Sequence, residues 1–587
     1  MGGVGNWLTR ACLFKGGSVV GTQVKVYASP SCILIAFDWP DGNNHADFLG
    51  FAIKRDPGYG KDGKAQYLFN KLDFLPITEK SKPKGSDKAP IQKFNWWDGG
   101  INPKDRGKTY TYTVTPVLGT GAKDLELLDA AAGQATVKVP ALLNGGIATY
   151  FNRAVVSAQS FTKLVKSGAS LEKQMDWLGN SLQEAVPEIL GESEGFDCAI
   201  YHLTDQRWII PALKNFKGHG SLVYFDKATD HVSASGLKHL PANPKIARHV
   251  RTKISALMHD KFIVSYKEGR ENAVLMGSTN FTPEGQTSQA NLLHILQSPQ
   301  LADLYAARAN LLAADPATAQ TAKNAGWSKV TDIPNTGIRV FFLPEPGQNR
   351  TFLDTVVKAV QKAKSSVLFC MFTASDQPLM DAIFAIGDAK DHLIYGLLNS
   401  IDDPDKPTKS GKKRNLSPIS VKIFHRSQTK PDTLSYDRFT KQSAPRGFLP
   451  ELSAINTSKY SGTKGPPIAI HIHHKFIVID GDTDDPTIFT GSPNFSKASE
   501  NKNDENALEI TGNPTLAQVY VAEFLRLYNH YRARAIWEKM HGKSKAKARA
   551  SDVGERDPLV LATTRDGWVK GAYNAATKEF LARTRFI

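Results

Sequence analysis

One block of sequence occurs twice in this 587-residue chain with the same internal spacing. The first copy reads His259-Asp260-Lys261-Phe262-Ile263-Val264, then Gly277-Ser278-Thr279-Asn280-Phe281. The second reads His473-His474-Lys475-Phe476-Ile477-Val478, then Gly491-Ser492-Pro493-Asn494-Phe495. In both, Lys follows His by two positions and Gly follows it by eighteen. Agreement over that length marks a duplication of domain size rather than a short-period repeat. Such a chain has to bring two like halves together, and the blocks read as the two halves of one site.

The flanking pattern repeats as well. Cys198 to Leu203 reads as a buried strand, Ile209 to Leu213 opens a helix, and Ser221 to Phe225 is a second strand. From Gly337 the order returns, with strands over Ile338 to Leu343, Ser366 to Phe372 and His392 to Leu398. Phe352 to Lys364 and the segment opening at Gln377 read as helices between them. Alternating strands and helices predict α/β layering. Asn291 and Asn506 each lie ten residues before a helix, at Leu301 and Leu516, and align as equivalents on that spacing. Tyr150 to Val165 and Leu171 to Leu190 carry helical apolar spacing, with Pro187 expected to bend or end the second.

Before residue 140 the pattern is all-β. Val24 to Tyr27, Cys32 to Phe37, Leu49 to Lys54, Phe94 to Trp97, Thr109 to Val117 and Ala135 to Val139 read as strands separated by Gly, Pro, Asp and Asn clusters. Residues 78 to 90 read as a mobile loop, and Trp96 and Trp97 as part of a sandwich core. The expected organisation is a β-sandwich over 1–145, one α/β half over 146–335, and a second over 336–540. An insertion over 400–467 interrupts the second half, and a basic linker and tail over 541–587 complete the chain. The length alone calls for several domains.

Lys and Arg exceed Asp and Glu by sixteen, 73 against 57, which favours a polyanionic partner. Basic runs over Lys406, Lys409, Lys412, Lys413 and Arg414, and over Lys543, Lys545, Lys547 and Arg549, add to this. Cys12, Cys32, Cys198 and Cys370 form no metal spacing, and the last two sit in strand-like runs as buried thiols. No apolar run is long enough for a membrane span, and Arg10 and Lys15 interrupt any leader, so the expected location is cytoplasmic or exported without a cleaved signal.

Strand alternation places His259 with Lys261, and His473 with Lys475, on one face. Two imidazoles, two ammonium groups and the Gly-Ser-x-Asn turns suit a phosphodiester. Lysines neutralise the phosphoryl oxygens, one His attacks phosphorus and the other protonates the leaving oxygen. Neither metal nor cofactor is called for. His471 and His474, beside His473, admit a metal cluster as a rival reading, without a Cys or carboxylate at ligand spacing.

The doubled block resembles the signature of the phospholipase D superfamily, His-x-Lys-x(4)-Asp followed by Gly-Ser-x-Asn. The second copy matches at His473, Lys475, Asp480, Gly491, Ser492 and Asn494. The first matches at His259, Lys261, Gly277, Ser278 and Asn280, with Tyr266 where Asp is expected. The resemblance implies two phospholipase D-like α/β/α halves packed pseudo-symmetrically and a covalent phosphohistidine. It implies His259 as nucleophile and His473 as acid. Lys261, Lys475, Ser278, Ser492, Asn280 and Asn494 would hold the phosphate. Glu505 would orient a catalytic His, with Gln289-Ala290-Asn291 in the corresponding place of the first half, Gln289 and Asp480 in support, and an amide there opposite a carboxylate making the histidines inequivalent. The Tyr-x-Tyr-x-Val strand near residue 110 resembles a fibronectin type III module. A phospholipid diester at a membrane surface is the preferred substrate, and nucleic acid the alternative. A binding protein on an inactive scaffold is a third reading. With both half-sites in one chain, a monomer suffices.

Overall fold

The computed structural model describes residues 20–78, 80–155, 158–228, 230–389, 391–400, 420–426, 431–437, 455–461, 470–541, 559–569 and 571–587. Cys12, the basic runs at 406–414 and 543–549 and most of the 400–467 insertion lie outside them.

Two sheets form the amino-terminal region. Gln23–Ala28, Ile33–Asp38 and Asn95–Asp98 make a three-stranded sheet. Gly133–Lys138, Thr109–Leu118, Phe48–Asp56 and Gln66–Tyr67 make the other, with Glu126–Leu127 beside it. Thr109–Leu118 alternates as its sequence requires, with Tyr110, Tyr112 and Val114 turned into the core between the sheets. Trp96 packs against that core, whereas Trp97 stacks on Trp96 at 5.2 Å and is only half-buried. The expected mobile loop is tied down from Lys84 onward. Ser86 Oγ accepts from Ile53 N at 2.8 Å, and Ala89 and Ile91 are buried.

Each half is built on its own sheet. The first has the order Leu143–Asn144, Ile147–Phe151, Leu292–Leu296, Arg270–Gly277, Lys261–Lys267, Gly195–Ile200, His219–Phe225, Ile246–Arg251. The second repeats it as Thr336–Leu343, Glu505–Thr511, Thr487–Gly491, Lys475–Ile479, Ser366–Met371, Leu393–Ser400, Ser420–Arg426, with Gly326–Trp327 and Pro431–Asp437 at its edges. The copies diverge where the insertion falls. Ile246–Arg251 runs parallel to its neighbour, whereas Ser420–Arg426 runs antiparallel to Leu393–Ser400.

One core lies between the two sheets, filled by the helices Pro299–Ala313 and Pro514–His541. Further cores on the outer faces hold Ala185–Gly191 and Ile209–Asn215 against the first sheet, and Thr351–Gln361 and Gln377–Asp388 against the second. Each long helix sends a tyrosine to the opposite half. Tyr305 Oη donates to Asn506 Oδ1 at 3.0 Å, and Tyr520 Oη meets His294 Nε2 at 2.7 Å.

Two expected helices differ. The run Ile147–Phe151 is a fully buried strand, and a helix begins only at Gln159. A short apolar run buried on both faces has no period that separates strand from helix. The Leu171–Leu190 segment breaks at Asn180 and Ser181, which adopt φ of 51° and 75°. Pro187 sits in the first turn of the next helix, Ala185–Gly191, where it breaks nothing.

The sandwich is joined to the halves. Tyr27, Cys32, Leu34 and Ala36 on its outer face enter the core that both halves share. There Glu523 accepts from the Ser29 and Ser31 hydroxyls and pairs with Arg526 at 2.9 Å. Arg526 in turn donates to Asn152 O and Arg153 O at 3.4 and 3.3 Å. The carboxy-terminal tail also packs back, with Trp568 stacked on Phe94 at 5.3 Å and Arg583 paired with Asp38 at 3.3 Å. Replacing Glu523 by Ala strips Arg526 of its counter-ion at this three-way junction. A loss of about 3 kcal/mol is expected, read as a lower urea midpoint for unfolding.

Candidate active site

The strands Lys261–Lys267 and Lys475–Ile479 lie inside their sheets, each flanked on both sides. Phe-Ile-Val in each is buried, which fixes which face the preceding His and Lys occupy. Each lysine folds back on its own block. Lys261 Nζ donates to His259 O at 2.5 Å, and Lys475 Nζ to His473 O at 2.8 Å.

The halves meet through short pieces of ladder at these blocks. His259 N donates to Asp504 O at 2.8 Å, and His473 N to Ala290 O at 3.1 Å. The side chains then cross over. His259 Nδ1 donates to Glu505 Oε2 at 2.7 Å, and His473 Nδ1 to Asn291 Oδ1 at 2.8 Å. Each imidazole is therefore oriented by the opposite half. Asn291 is itself held by Ser278 Oγ, which donates to its Oδ1 at 2.9 Å, while its Nδ2 donates to Gly285 O at 3.0 Å. With its oxygen so placed, His473 carries its proton on Nδ1. Both rings then keep Nε2 for chemistry.

Asn291 takes the place expected of Gln289, whose side-chain oxygen is buried without a partner. The ladder explains the difference. Ser278 N donates to Leu292 O and Ser492 N to Asn506 O, so Asn291 corresponds to Glu505 rather than to Asn506. The next helix begins eight positions after Asn291 and nine after Glu505, at Pro299 and Pro514, and this one-residue difference is what set Asn291 against Asn506 in the sequence. Asn506 instead donates to Asp260 Oδ1 at 2.6 Å.

The two serines also differ from expectation. Ser278 Oγ accepts from Leu292 N at 3.2 Å, and Ser492 Oγ from Asn506 N at 3.0 Å. Both are buried, and their hydroxyls hold the neighbouring strand rather than facing the site. Gly491 makes this possible, since a Cβ there would lie 2.3 Å from Asn506 O and its φ is 146°. Asn280 and Asn494 are half-buried, with side-chain oxygens that find no partner.

Asp480 and Tyr266 occupy the far ends of their strands. Asp480 accepts from the backbone N–H groups of Lys364, Ser365 and Ser366 at 2.7 to 3.1 Å, pinning the neighbouring strand. Tyr266 does the corresponding work by donating to Asp197 Oδ2 at 2.6 Å. The departure from the Asp pattern thus replaces one brace by another, away from the imidazoles.

Two contributions were not anticipated. Tyr201 and Phe372, each the residue just past a buried strand, set their rings 4.9 Å from His259 and 5.3 Å from His473. Their equal position in the two halves was the signal that could have found them. Beneath His259, Asp504 accepts from Arg251 at 2.9 Å and Arg308 at 3.4 Å, a buried network holding the strand that carries Glu505.

Burial dominates the electrostatics. It lowers His259 to about 4, with Glu505 opposing and Lys261 assisting. His473 is driven well down by burial, then by Lys475, Lys261 and His259. Burial lowers Lys261 to about 7 and Lys475 well below its usual range. For Glu505 burial favours the neutral acid, but His259, Lys261 and Asn503 outweigh it and hold the carboxyl at about 2. The site thus presents neutral imidazoles, one beside a carboxylate. Among the described residues no three His, Cys, Asp or Glu side chains converge as a metal site. His474 turns away and packs on Phe151 at 5.4 Å.

Paired His-Lys motifs at the seam of two like α/β halves define the class, phosphodiesterases of the phospholipase D type. Residues 356–528 match the family model described as "Cardiolipin synthase, PLD-like domain", so this stretch of the second half is a phospholipase D-like domain. No curated protein matches it in sequence. Among solved structures, phosphatidylserine synthase of Haemophilus influenzae Rd KW20 is 10% identical, over 63% of this chain and 92% of that one, with a TM-score of 0.37. Polyphosphate kinase of Porphyromonas gingivalis is 9% identical over 58% of this chain, with a TM-score of 0.33, and the match spans 44% of its length. Nuc of Salmonella typhimurium, a phospholipase D family member, is 20% identical over 22% of this chain and 85% of that one, with a TM-score of 0.20.

Two outcomes are expected from this site. His259 and His294 are both held near 4 by burial, while an unfolded histidine titrates near 6.5. The unfolded chain therefore binds more protons between those values. Stability present above pH ~6.5 falls as pH drops toward ~4, by up to about 3 kcal/mol for His259 alone. Urea unfolding as a function of pH measures it. Glu505→Gln keeps an acceptor for His259 but removes the anion, and kcat on a phosphodiester is expected to fall about a hundredfold with KM little changed.

Proposed function

We propose that the protein is a metal-independent phosphodiesterase of phospholipase D type, acting through a phosphohistidine on His259. One observation carries the assignment: the crossed partners are unequal, a carboxylate on His259 and an amide on His473. The carboxylate stabilises the positive charge that His259 acquires when Nε2 attacks phosphorus. The amide orients His473 without tying up a charge.

In the first step the His259 Nε2 lone pair forms the N–P bond as the P–O bond to the leaving alcohol breaks. The departing oxygen takes a proton from His473. His473 Nε2 lies 3.3 Å from Lys475 Nζ, and an anionic diester in the site raises the proton affinity of the imidazole, so that His473 enters the step protonated while Lys475 keeps its own charge. Lys261 and Lys475 neutralise the phosphoryl oxygens, and the side-chain amides of Asn280 and Asn494 supply donors. In the second step His473 takes the proton of water or an alcohol as its oxygen attacks phosphorus and the P–N bond breaks.

A phospholipid diester is the preferred substrate. The family description of the 356–528 match names a lipid synthase, and the net charge of +16 suits an anionic surface. The same charge suits nucleic acid, which is the second reading. We take the active form as a monomer, since one chain supplies both half-sites.

A single experiment addresses mechanism and substrate. In EDTA, His473→Ala given bis(p-nitrophenyl) phosphate should release about one equivalent of p-nitrophenolate and stall. That leaving group needs no acid, while the attacking water has lost its base. Mass spectrometry should find the adduct on His259; an adduct elsewhere reverses the roles. Wild-type protein offered phosphatidylglycerol vesicles and plasmid DNA side by side should release headgroup, and should form the phosphatidyl alcohol when ethanol is added. Nicking without headgroup release would select the nuclease reading.

A further inference from the structure

We propose that the edge of the sandwich around Tyr59 and Phe69 is a docking surface for an anionic membrane, set beside the mouth of the active site. The choice of lipid rests on the phosphodiesterase reading above. Of the seven large hydrophobic side chains exposed among the described residues, three lie on this edge: Tyr59, Phe69 and Leu75. Phe69 is 48% exposed and stacks on Tyr59 at 6.2 Å. Its exposure is built in. Leu68 and Asn70 turn inward on either side, held by Leu68 N donating to Ile53 O at 2.8 Å and Asn70 Nδ2 to Pro90 O at 3.2 Å. Tyr59 is fixed by its hydroxyl, which donates to Asp98 Oδ1 at 2.9 Å, and by the Arg55 guanidinium, 4.2 Å from its ring centre. Leu75, 72% exposed, stands two residues past Asp73, which pairs at 2.5 Å with Lys84 of the strand beside Phe69.

The surround is basic. Between residues 57 and 88, Lys61, Lys64, Lys80, Lys82, Lys84 and Lys88 are exposed, against one exposed acid, Asp62, among the described residues. Pairing of Phe69–Asn70 with Lys84–Gly85 gathers the two ends of that segment around the rings. Burial and then the neighbouring Lys163 lower Lys71, so the helix Gln159–Lys166 brings a further lysine to the same flank. Aromatic rings ringed by lysines are what an anionic bilayer binds: the rings enter at the headgroup level and the ammonium groups meet the lipid phosphates. Leu75 gains from hydrocarbon and has no face on which a base could stack, which favours lipid over nucleic acid.

A chain of contacts joins the patch to the catalytic end of the first half. Tyr59 packs against Gly100, where a Cβ would lie 2.4 Å from its Cε1. The next two residues, Ile101 and Asn102, accept from Arg153 Nη2 through O and Oδ1 at 3.2 and 3.1 Å. Asn152, beside Arg153, donates to Gln289 O at 2.7 Å and accepts from Asn291 N at 2.9 Å. Asn291 is the residue that orients His473. Asn152 follows directly on the strand Ile147–Phe151, so the patch is tied to the end of the sheet where the imidazoles lie. A bilayer resting on the rings and lysines therefore lies beside the mouth, with its headgroups on the side from which a diester enters.

Co-sedimentation of the full chain with vesicles tests the surface, using phosphatidylcholine alone and an equal mixture of phosphatidylcholine and phosphatidylglycerol. Wild-type protein should bind the mixed vesicles and leave pure phosphatidylcholine in the supernatant. Phe69→Ser should weaken binding about tenfold, the worth of burying a half-exposed Phe side chain. Lys80→Ala and Lys82→Ala should each weaken it about fivefold at low salt and less at high salt. Turnover of soluble bis(p-nitrophenyl) phosphate, which needs no surface, should match wild type in all three variants and shows that they are folded. Unchanged vesicle binding in the variants, or none by the wild type, would overturn the docking surface, while turnover of the soluble diester would keep the phosphodiesterase reading standing. Weaker binding of plasmid DNA by the lysine variants, without vesicle binding by the wild type, would overturn it in favour of a nucleic-acid surface. A wild type inert on the soluble diester whose vesicle binding is still lost in the variants would overturn the phosphodiesterase reading and support the surface.

Discussion

The site depends on two hydrogen bonds that cross the seam, His259 to Glu505 and His473 to Asn291. Neither half is complete alone, because each imidazole takes its tautomer from the other. Everything around the seam serves that registry. The backbone bridges beside the blocks set the two strands to a fraction of a residue. The tyrosines of the long helices tie each helix to the opposite sheet. The buried Arg251, Arg308, Asp260 and Asp504 network fixes the strand that carries Glu505. Charged groups so buried cost more than they return unless paired, so their presence under His259 is better understood as positioning than as stabilisation.

Duplication gives the halves the same scaffold and then lets them diverge where chemistry needs asymmetry. Glu505 and Asn291 occupy one position in the repeat and differ in charge. Tyr201 and Phe372 occupy another and differ in their neighbours. A symmetric pair of equally basic histidines would have no reason to divide into nucleophile and acid. On the proposed mechanism, charge on one side and an amide on the other supplies that reason, because environment sets the two imidazoles apart.

Much of the candidate site was legible, because the blocks carry their own register. His259, Lys261, His473 and Lys475 follow from strand alternation next to an apolar Phe-Ile-Val run. What misled was everything that turns on a single residue of register or on the direction of a short side chain. Asn291 was set against Asn506 rather than Glu505 because one extra residue before Pro514 shifts the spacing to the helix by one. Ser278 and Ser492 were expected to hold the phosphate because the motif contains them; buried beside the neighbouring strand, their hydroxyls accept from its backbone N–H groups instead, and Ser278 also donates to Asn291. Tyr150 and Phe151 read as the start of a helix because the apolar strand that holds them, Ile147–Phe151, is buried on both faces and has no period to read.

The sequence by itself determined the duplication, the α/β alternation within each half, the β-rich opening and the identity of the paired histidines and lysines. These are local properties, written in spacing and in the alternation of apolar residues. Only the tertiary structure decided which half orients which histidine, that Tyr266 braces its strand through Asp197 as Asp480 does through backbone amides, and that Tyr201 sets its ring beside His259. Those pairings join residues far apart in the chain, up to 246 positions for His259 and Glu505. No spacing rule reaches that far, because such contacts are set by how two packed sheets register across a shared core.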